Sequence, residues 1–257
     1  MEVKIGWLYP DLMSTYGDRG NIIALTYRMQ RRGIKSTIIK ISLGEPADLI
    51  KKVDLLFMGG AQDKQQEIVN LDLLKNKGKF LLEAIERGVP GLYVCGAYQF
   101  LGKYYQAADG EKILGLGIFD VYTINPGASS PRLIGNIAVQ TNITGSEIIL
   151  VGFENHGGRT YLNNPNNAFA KVINGYGNNG NDLTEGYVYK NSIGTYLHGP
   201  ILSKNPSLTD FLIQQALRKK YKKEISLLKI DDSLEDKAKK IVLKRIRNKN
   251  FLKLFLK

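Results

Sequence analysis

Three side chains in this sequence of 257 residues could do nucleophilic chemistry together: one cysteine, Cys95, and two histidines, His156 and His198. A thiolate attacks carbonyl carbon readily once a base has taken its proton, and imidazole is the side chain best matched to that exchange near neutral pH. Cys95 follows the apolar run Val89 to Val94, which reads as a short buried strand, and helical spacing resumes at Phe100, Leu101 and Tyr104. That places the sulfur on a strand-to-helix turn, the geometry of a nucleophile elbow. The partial positive charge of a helix N-terminus favours thiolate over thiol there. Gly96 allows a close backbone approach, and its N–H can face a developing oxyanion. The plain alternative is a small buried hydrophobe, the ordinary fate of a lone free cysteine.

A catalytic cysteine needs a proton acceptor that later returns a proton to the leaving amine. His198 ends the apolar run Ile193 to Leu197, so a strand end on the same sheet can bring it to Cys95. His156 lies in the polar turn Phe153-Glu154-Asn155-His156-Gly157-Gly158-Arg159. Strand-end placement favours His198, and the plain reading of either ring is a loop histidine with a structural hydrogen bond. One cysteine and two scattered histidines have no zinc spacing, and no Walker A segment is present, so neither a metal nor an ATP site is expected on this chain.

The elements that must position these groups are legible as pattern. Val3 to Leu8, Ser36 to Ile41 and Val53 to Met58 read as strands, and Ile22 to Arg32 as a helix closed by Gly33. Helical spacing runs through Ile68, Leu71 and Leu74 and again from Phe80 to Arg87, closed by Gly88. Alternating strands and helices predict an α/β fold with a mostly parallel, doubly wound sheet, whose site lies beyond the carboxyl ends of its strands. Gly59-Gly60 falls at that rim beside Cys95-Gly96, so the two loops can supply two N–H donors to one oxygen; a tight turn is the plain alternative. From Lys112 to His198 short β-like runs (117–124, 135–140, 148–153, 186–189, 193–197) predict an antiparallel or mixed half of the same domain. The glycine- and asparagine-rich segment 174–186 lacks the flanking strand and helix of a dinucleotide site. Residues 1–207 are read as one domain. Residues 208–257 are read as a helical, basic extension packed on or beside it, helical over 208–219 and 233–257.

The hydrophobic fraction of 43% and charged fraction of 23% are ordinary for a globular protein. A single cysteine suits a reducing cytoplasm, and neither a signal peptide nor a membrane-length apolar run is present. The formal charge of +12 is concentrated late in the chain. It reads as a solvated helix face, with peripheral contact to an anionic membrane as the functional alternative and no nucleic acid expected.

The pairing of Leu92-Tyr93-Val94-Cys95-Gly96-Ala97-Tyr98-Gln99 with Gly194-Thr195-Tyr196-Leu197-His198-Gly199 resembles class I glutamine amidotransferases of the cobyric acid synthase-like (CobB/CobQ-like) branch. Three further segments, 8–21, 130–136 and 152–160, are similar to the glutaminase subunits of lipid II isoglutaminyl synthases, and the resemblance runs from about residue 3 to about residue 217. It implies that Cys95 attacks the side-chain amide of glutamine and that His198 moves the protons. It also implies an oxyanion site at the Gly60 and Gly96 amides and glutamine capture by Arg132, with Gln99, His156 and Glu154 as secondary candidates. A guanidinium suits bidentate capture of a carboxylate; without the resemblance Arg132 is a surface arginine after a proline. The ammonia is expected to pass to an ATP- and Mg-using Mur ligase-like (MurT-type) partner in a heterodimer, which amidates the α-carboxyl of D-glutamate in lipid II. A corrinoid carboxylate as acceptor, or a non-catalytic protein on the same fold, are the competing readings. One departure matters: many relatives carry a glutamate two residues after the histidine, and here that position is Pro200. The acid that orients the ring is then expected from Glu154, Asp182 or Glu185, or from the partner, the last being the preferred expectation because it would hold hydrolysis low until the complex forms.

Overall fold

The computed structural model describes residues 1–14, 17–61 and 63–255, the side chains of 63–64 and 248–255 apart. Thr15, Tyr16 and Gln62 lie outside the described residues, as do Leu256 and Lys257 of the expected tail helix. Strand β1 (Glu2–Leu8) leads into helix α1 (Arg19–Gln30), then β2 (Lys35–Ile41) and β3 (Leu55–Met58). Helix α2 (Asp63–Asp72), a π-helical stretch at Leu73–Lys77 and helix α3 (Gly78–Glu86) precede β4 (Gly91–Val94) and the short helix α4 (Gly96–Leu101). Every residue of β3 and β4 is buried, as expected for strands covered on both faces. Gly33, at φ +65°, turns the chain from α1 into β2, a conformation glycine adopts without strain.

Beyond α4 the strands shorten and reverse. They are β5 (Tyr104–Gln106), β6 (Lys112–Leu114), β7 (Val121–Ile124), β8 (Leu133–Thr141), β9 (Ile148–His156), β10 (Arg159–Leu162), β11 (Ala170–Asn174), β12 (Thr184–Glu185), β13 (Tyr187–Tyr189) and β14 (Ser192–Thr195). The last two rejoin the first four in a six-stranded sheet of order β13-β14-β4-β3-β1-β2. It is parallel except at its β13 edge. The others form two four-stranded sheets, β10-β7-β5-β6 and β12-β11-β8-β9. The mixed half therefore resolves into two separate sheets. The expected run 117–124 narrows to β7 because Gly117 turns at φ +64°. β8 instead lengthens to nine residues because it pairs with β9 along its whole length.

Three helices follow: α5 (Ile201–Lys204), α6 (Pro206–Tyr221) and α7 (Ser233–Phe255). α6 buries Leu208, Leu212, Ile213, Ala216 and Leu217 in the same cluster as the main sheet. Arg28 of α1 adds a pair of ion contacts, to Asp210 on α6 and to Asp232 just before α7. α6 thus shares the core of residues 1–207, whereas α7 reaches the body through Ile246, packed on Ala138 and Val151. Among the described residues no helix is long and apolar enough to cross a membrane.

Candidate active site

Cys95 closes β4 and caps α4 at φ +55° and ψ −108°. A non-glycine residue at positive φ is strained by roughly 1–3 kcal/mol and persists only where its neighbours hold it. Here they do: its N–H donates to Thr195 O of β14 (2.8 Å) and its carbonyl accepts from Gln99 N (3.0 Å). The residue keeps 9% of its surface exposed. At Gly96 a Cβ would stand 3.1 Å from Gln66 Nε2, so the helix start is packed against α2.

Thr195 lies beside Val94 in the parallel ladder, and three residues later the chain reaches His198. There it forms a two-way backbone bridge with Phe153 of β9 (2.8 and 3.1 Å). The main sheet and the β8–β9 sheet therefore hold the histidine between them, and its ring hydrogen-bonds the Cys95 side chain. On the other side its Nδ1–H donates to Asp18 Oδ1 at 3.1 Å. Both side chains of this pair are almost wholly buried. Burial pushes the imidazolium down, but the Cys95 charge, the hydrogen bonds to Asp18 and Cys95 and the Asp18 charge override it, raising His198 from 6.5 to about 10. The ring is therefore placed to hold its proton beside the Cys95 side chain.

Asp18 was not among the acids expected at the ring. Glu154 instead accepts the Tyr176 and Gly177 amides (2.8 and 2.9 Å), clamping the turn that follows β11. Glu185 accepts Thr195 Oγ1 and the Tyr196 amide (2.6 and 2.8 Å). Asp182 is spent on Asn179 and Thr184. Nor is the Nδ1 side open for a partner's carboxylate, because Asp18 fills it. Pro200 helps to explain why: a Cβ on Gly20 would fall 2.3 Å from Pro200 Cγ, so the proline packs on the first turn of α1, two residues past Asp18. The residue that cannot accept the imidazole proton seats the loop whose acid does. The available signal was positional, since the loop after β1 opens at the rim that carries Gly59-Gly60 and Cys95.

The other expected residues divide. His156 is not beside the sulfur in the manner of His198: its Nδ1–H donates to Gly158 O (2.8 Å) and its ring stacks on Tyr196 at 3.7 Å. Burial, ahead of the nearby Arg159 and His198 charges, lowers it to about 3, so it is a neutral, packed ring. Gln99 on α4 donates to Tyr196 Oη (3.0 Å), and Tyr196 Oη in turn meets Thr160 Oγ1 (2.6 Å). Arg132 is held by Asn155, Nε to Oδ1 at 2.9 Å and Nη2 to the carbonyl at 3.0 Å, against the Gly157 turn. Gly60 does reach the site: a Cβ there would lie 3.1 Å from Cys95 Cβ and 3.2 Å from His198 Cε1. Its N–H, however, donates to Asp18 Oδ2 at 2.8 Å and so does not point at an oxyanion in this structure. A cavity of about 410 Å³ lies alongside, lined by Gln66, Asn70, Gln99, Phe100, Tyr105 and Asn125 among others. Its lining includes Gln66, which packs on Gly96, and Gln99, but neither Cys95 nor His198.

A parallel sheet with a cysteine on a strand-to-helix elbow, facing a histidine from the neighbouring strand, is the arrangement of a class I glutamine amidotransferase. The chain belongs to the CobB/CobQ-like glutamine amidotransferase domain family, which matches residues 4–206. It is 42% identical over 244 residues to the GatD subunit of the glutamine-hydrolysing lipid II isoglutaminyl synthase of Staphylococcus aureus, covering 95% of this chain and 96% of that one. It is 39% identical to the corresponding subunit of Streptococcus pneumoniae, covering 91% and 87%. A probable cobyric acid synthase of Methanopyrus kandleri is 30% identical over 63% of this chain but only 34% of its own length. Among solved structures, a glutamine amidotransferase superposes with a TM-score of 0.54 at 12% identity, covering 82% of this chain and 98% of that one, and so shares the fold.

Proposed function

We propose that the chain is the glutaminase subunit of a lipid II isoglutaminyl synthase. The observation that carries this reading is end-to-end similarity to subunits of that name, against a match to about a third of a cobyric acid synthase. Cys95 Sγ attacks the side-chain amide carbon of glutamine, and the carbonyl oxygen takes up the electron pair. His198 gives its Nε2 proton to the departing nitrogen, ammonia leaves, and a thioester remains. His198 then takes a proton from water, whose oxygen attacks the thioester to release glutamate and restore the thiolate. Asp18 holds the ring in the orientation these transfers need, and the Gly96 amide is one donor to the oxyanion. Arg132 is the group suited to the α-carboxylate of glutamine.

The ammonia passes to a Mur ligase-like synthetase subunit that holds ATP and Mg and amidates the α-carboxyl of D-glutamate in lipid II. The complex works at the cytoplasmic face of the membrane. The test is ammonia release from glutamine, and amidated lipid II formation, by the chain with its synthetase partner. Cys95→Ser is expected to abolish both. Glutamine turnover with a corrinoid acceptor but not with lipid II would redirect the reading, and no turnover with either would end it.

A further inference from the structure

We propose that Asp18 is a positioning residue for two parts of the machinery at once: it orients His198, and it holds the Gly60 amide out of the oxyanion site until a tetrahedral adduct draws that amide away. The proposal rests on the glutaminase reading of Cys95 and His198.

The geometry is specific. Asp18 is completely buried, and its two oxygens take different donors: Oδ1 the His198 Nδ1–H at 3.1 Å, Oδ2 the Gly60 N–H at 2.8 Å. An amide has one proton, and one committed to a carboxylate at that distance is not offered elsewhere. Yet Gly60 touches both reacting side chains, as the 3.1 and 3.2 Å positions of an added Cβ show, with Asp18 Oδ2 at 3.6 Å on the same side. Gly59 is wedged too: a Cβ there would meet Met13 O at 2.4 Å and the Asp18 carboxylate at 2.9 Å. The Gly59–Gly60 peptide is thus packed against both the acid and the Cys95–His198 pair. Turning that one amide takes its proton off Asp18 Oδ2 and toward the Cys95 side chain, a neighbour of the same peptide.

The electrostatics supply the trigger. Before attack the Asp18 carboxylate is the group that accepts the Gly60 amide, at 2.8 Å. On attack the charge moves from sulfur to the carbonyl oxygen, and a second anion then competes for that N–H. Release of Gly60 leaves Asp18 with His198 alone, at the moment the ring must stay oriented as it gives up its proton. One carboxylate therefore links ring orientation to completion of the oxyanion site.

The probe is the γ-semialdehyde of L-glutamate, which adds reversibly to a thiolate to give a tetrahedral oxyanion. In a structure of the adduct formed on the unmodified chain, the Gly60 nitrogen is expected beyond hydrogen-bond range of Asp18 Oδ2 and within about 3 Å of the adduct oxygen. Gly60 still bonded to Asp18 in that adduct would overturn the proposal. No adduct on Cys95, together with no glutamine turnover beside the partner, would instead bring down the glutaminase reading and this proposal with it. Asp18→Asn gives a second measurement. A neutral amide oxygen competes less well than a carboxylate for the Gly60 proton. Aldehyde affinity, divided by the iodoacetamide alkylation rate of Cys95, should therefore rise about fivefold over the parent. Alkylation needs no oxyanion site and reports the thiolate alone. An unchanged ratio means that Asp18 acts only through the ring, and refutes the link to Gly60.

Discussion

Replacing Cys95 by serine removes the anion to which His198 responds, and the histidine itself can report the loss. In the parent chain the ring titrates at about 10, against the direction in which burial pushes it. Two unit charges about 4 Å apart at an effective dielectric of about 20 attract by roughly 4 kcal/mol. At about 1.4 kcal/mol per pH unit, that attraction is worth about three units. Cys95→Ser is therefore expected to lower the titration of His198 by roughly that amount, with Asp18 still at Nδ1 opposing the cost of burial. The assay is long-range proton–nitrogen correlation of the histidine rings between about pH 5 and about pH 11.5, which spans both the parent transition and a lowered one. The chain has only two such rings. His156, lowered to about 3 by burial, stays neutral throughout and serves as the internal control. A parent His198 that loses its proton near 6.5, or a serine variant that titrates where the parent does, would refute the thiolate–imidazolium pair.

Gly60→Ala puts a methyl 3.1 Å from Cys95 Cβ and 3.2 Å from His198 Cε1. It should lower the glutaminase kcat by about 100-fold, the usual cost of misplacing reacting groups by a fraction of an ångström, while circular dichroism shows the fold retained. Arg132→Ala, which deletes the guanidinium proposed to hold the glutamine carboxylate, should raise KM for glutamine by about 10- to 100-fold with a smaller change in kcat. A loss confined to kcat would place that arginine elsewhere in the reaction. Burial, opposed by hydrogen bonds to each carboxylate, raises Glu154 and Glu185 to about 7. Between about pH 4.5 and 7 the unfolded chain has released protons that the folded chain keeps, so stability falls as pH rises through that window and levels off above it. Glu185→Gln, which keeps one acceptor for Thr195 and Tyr196, should flatten the decline in melting temperature between about pH 5 and 7.

How far the molecule was legible beforehand follows from the range of the forces involved. The strand-to-helix turn at Cys95 could be read because an apolar run that stops at Cys-Gly before a helical period is a local pattern. Its backbone adopts φ +55° there, as an elbow requires. The parallel order of β1, β3 and β4 followed from alternation alone, since strands linked by helices return in the same direction. Strand-end placement favoured His198 over His156, yet in the fold it is His156 that ends a strand, β9, while His198 lies three residues past β14, so position at a strand end did not separate the two rings. What local pattern does not contain is which distant groups meet. Asp18 precedes His198 by most of the chain, and no spacing rule joins them. They meet because β14 returns beside β4, β9 bridges His198, and Pro200 packs on Gly20. The same packing decided that Gly60 gives its proton to a carboxylate, a matter of the direction of one peptide plane. Composition and periodicity thus determined the elements and the chemistry available at the rim. Tertiary contact decided which acid faces the ring, because a buried carboxylate goes where donors converge, and donors from separate segments converge only once the chain has closed.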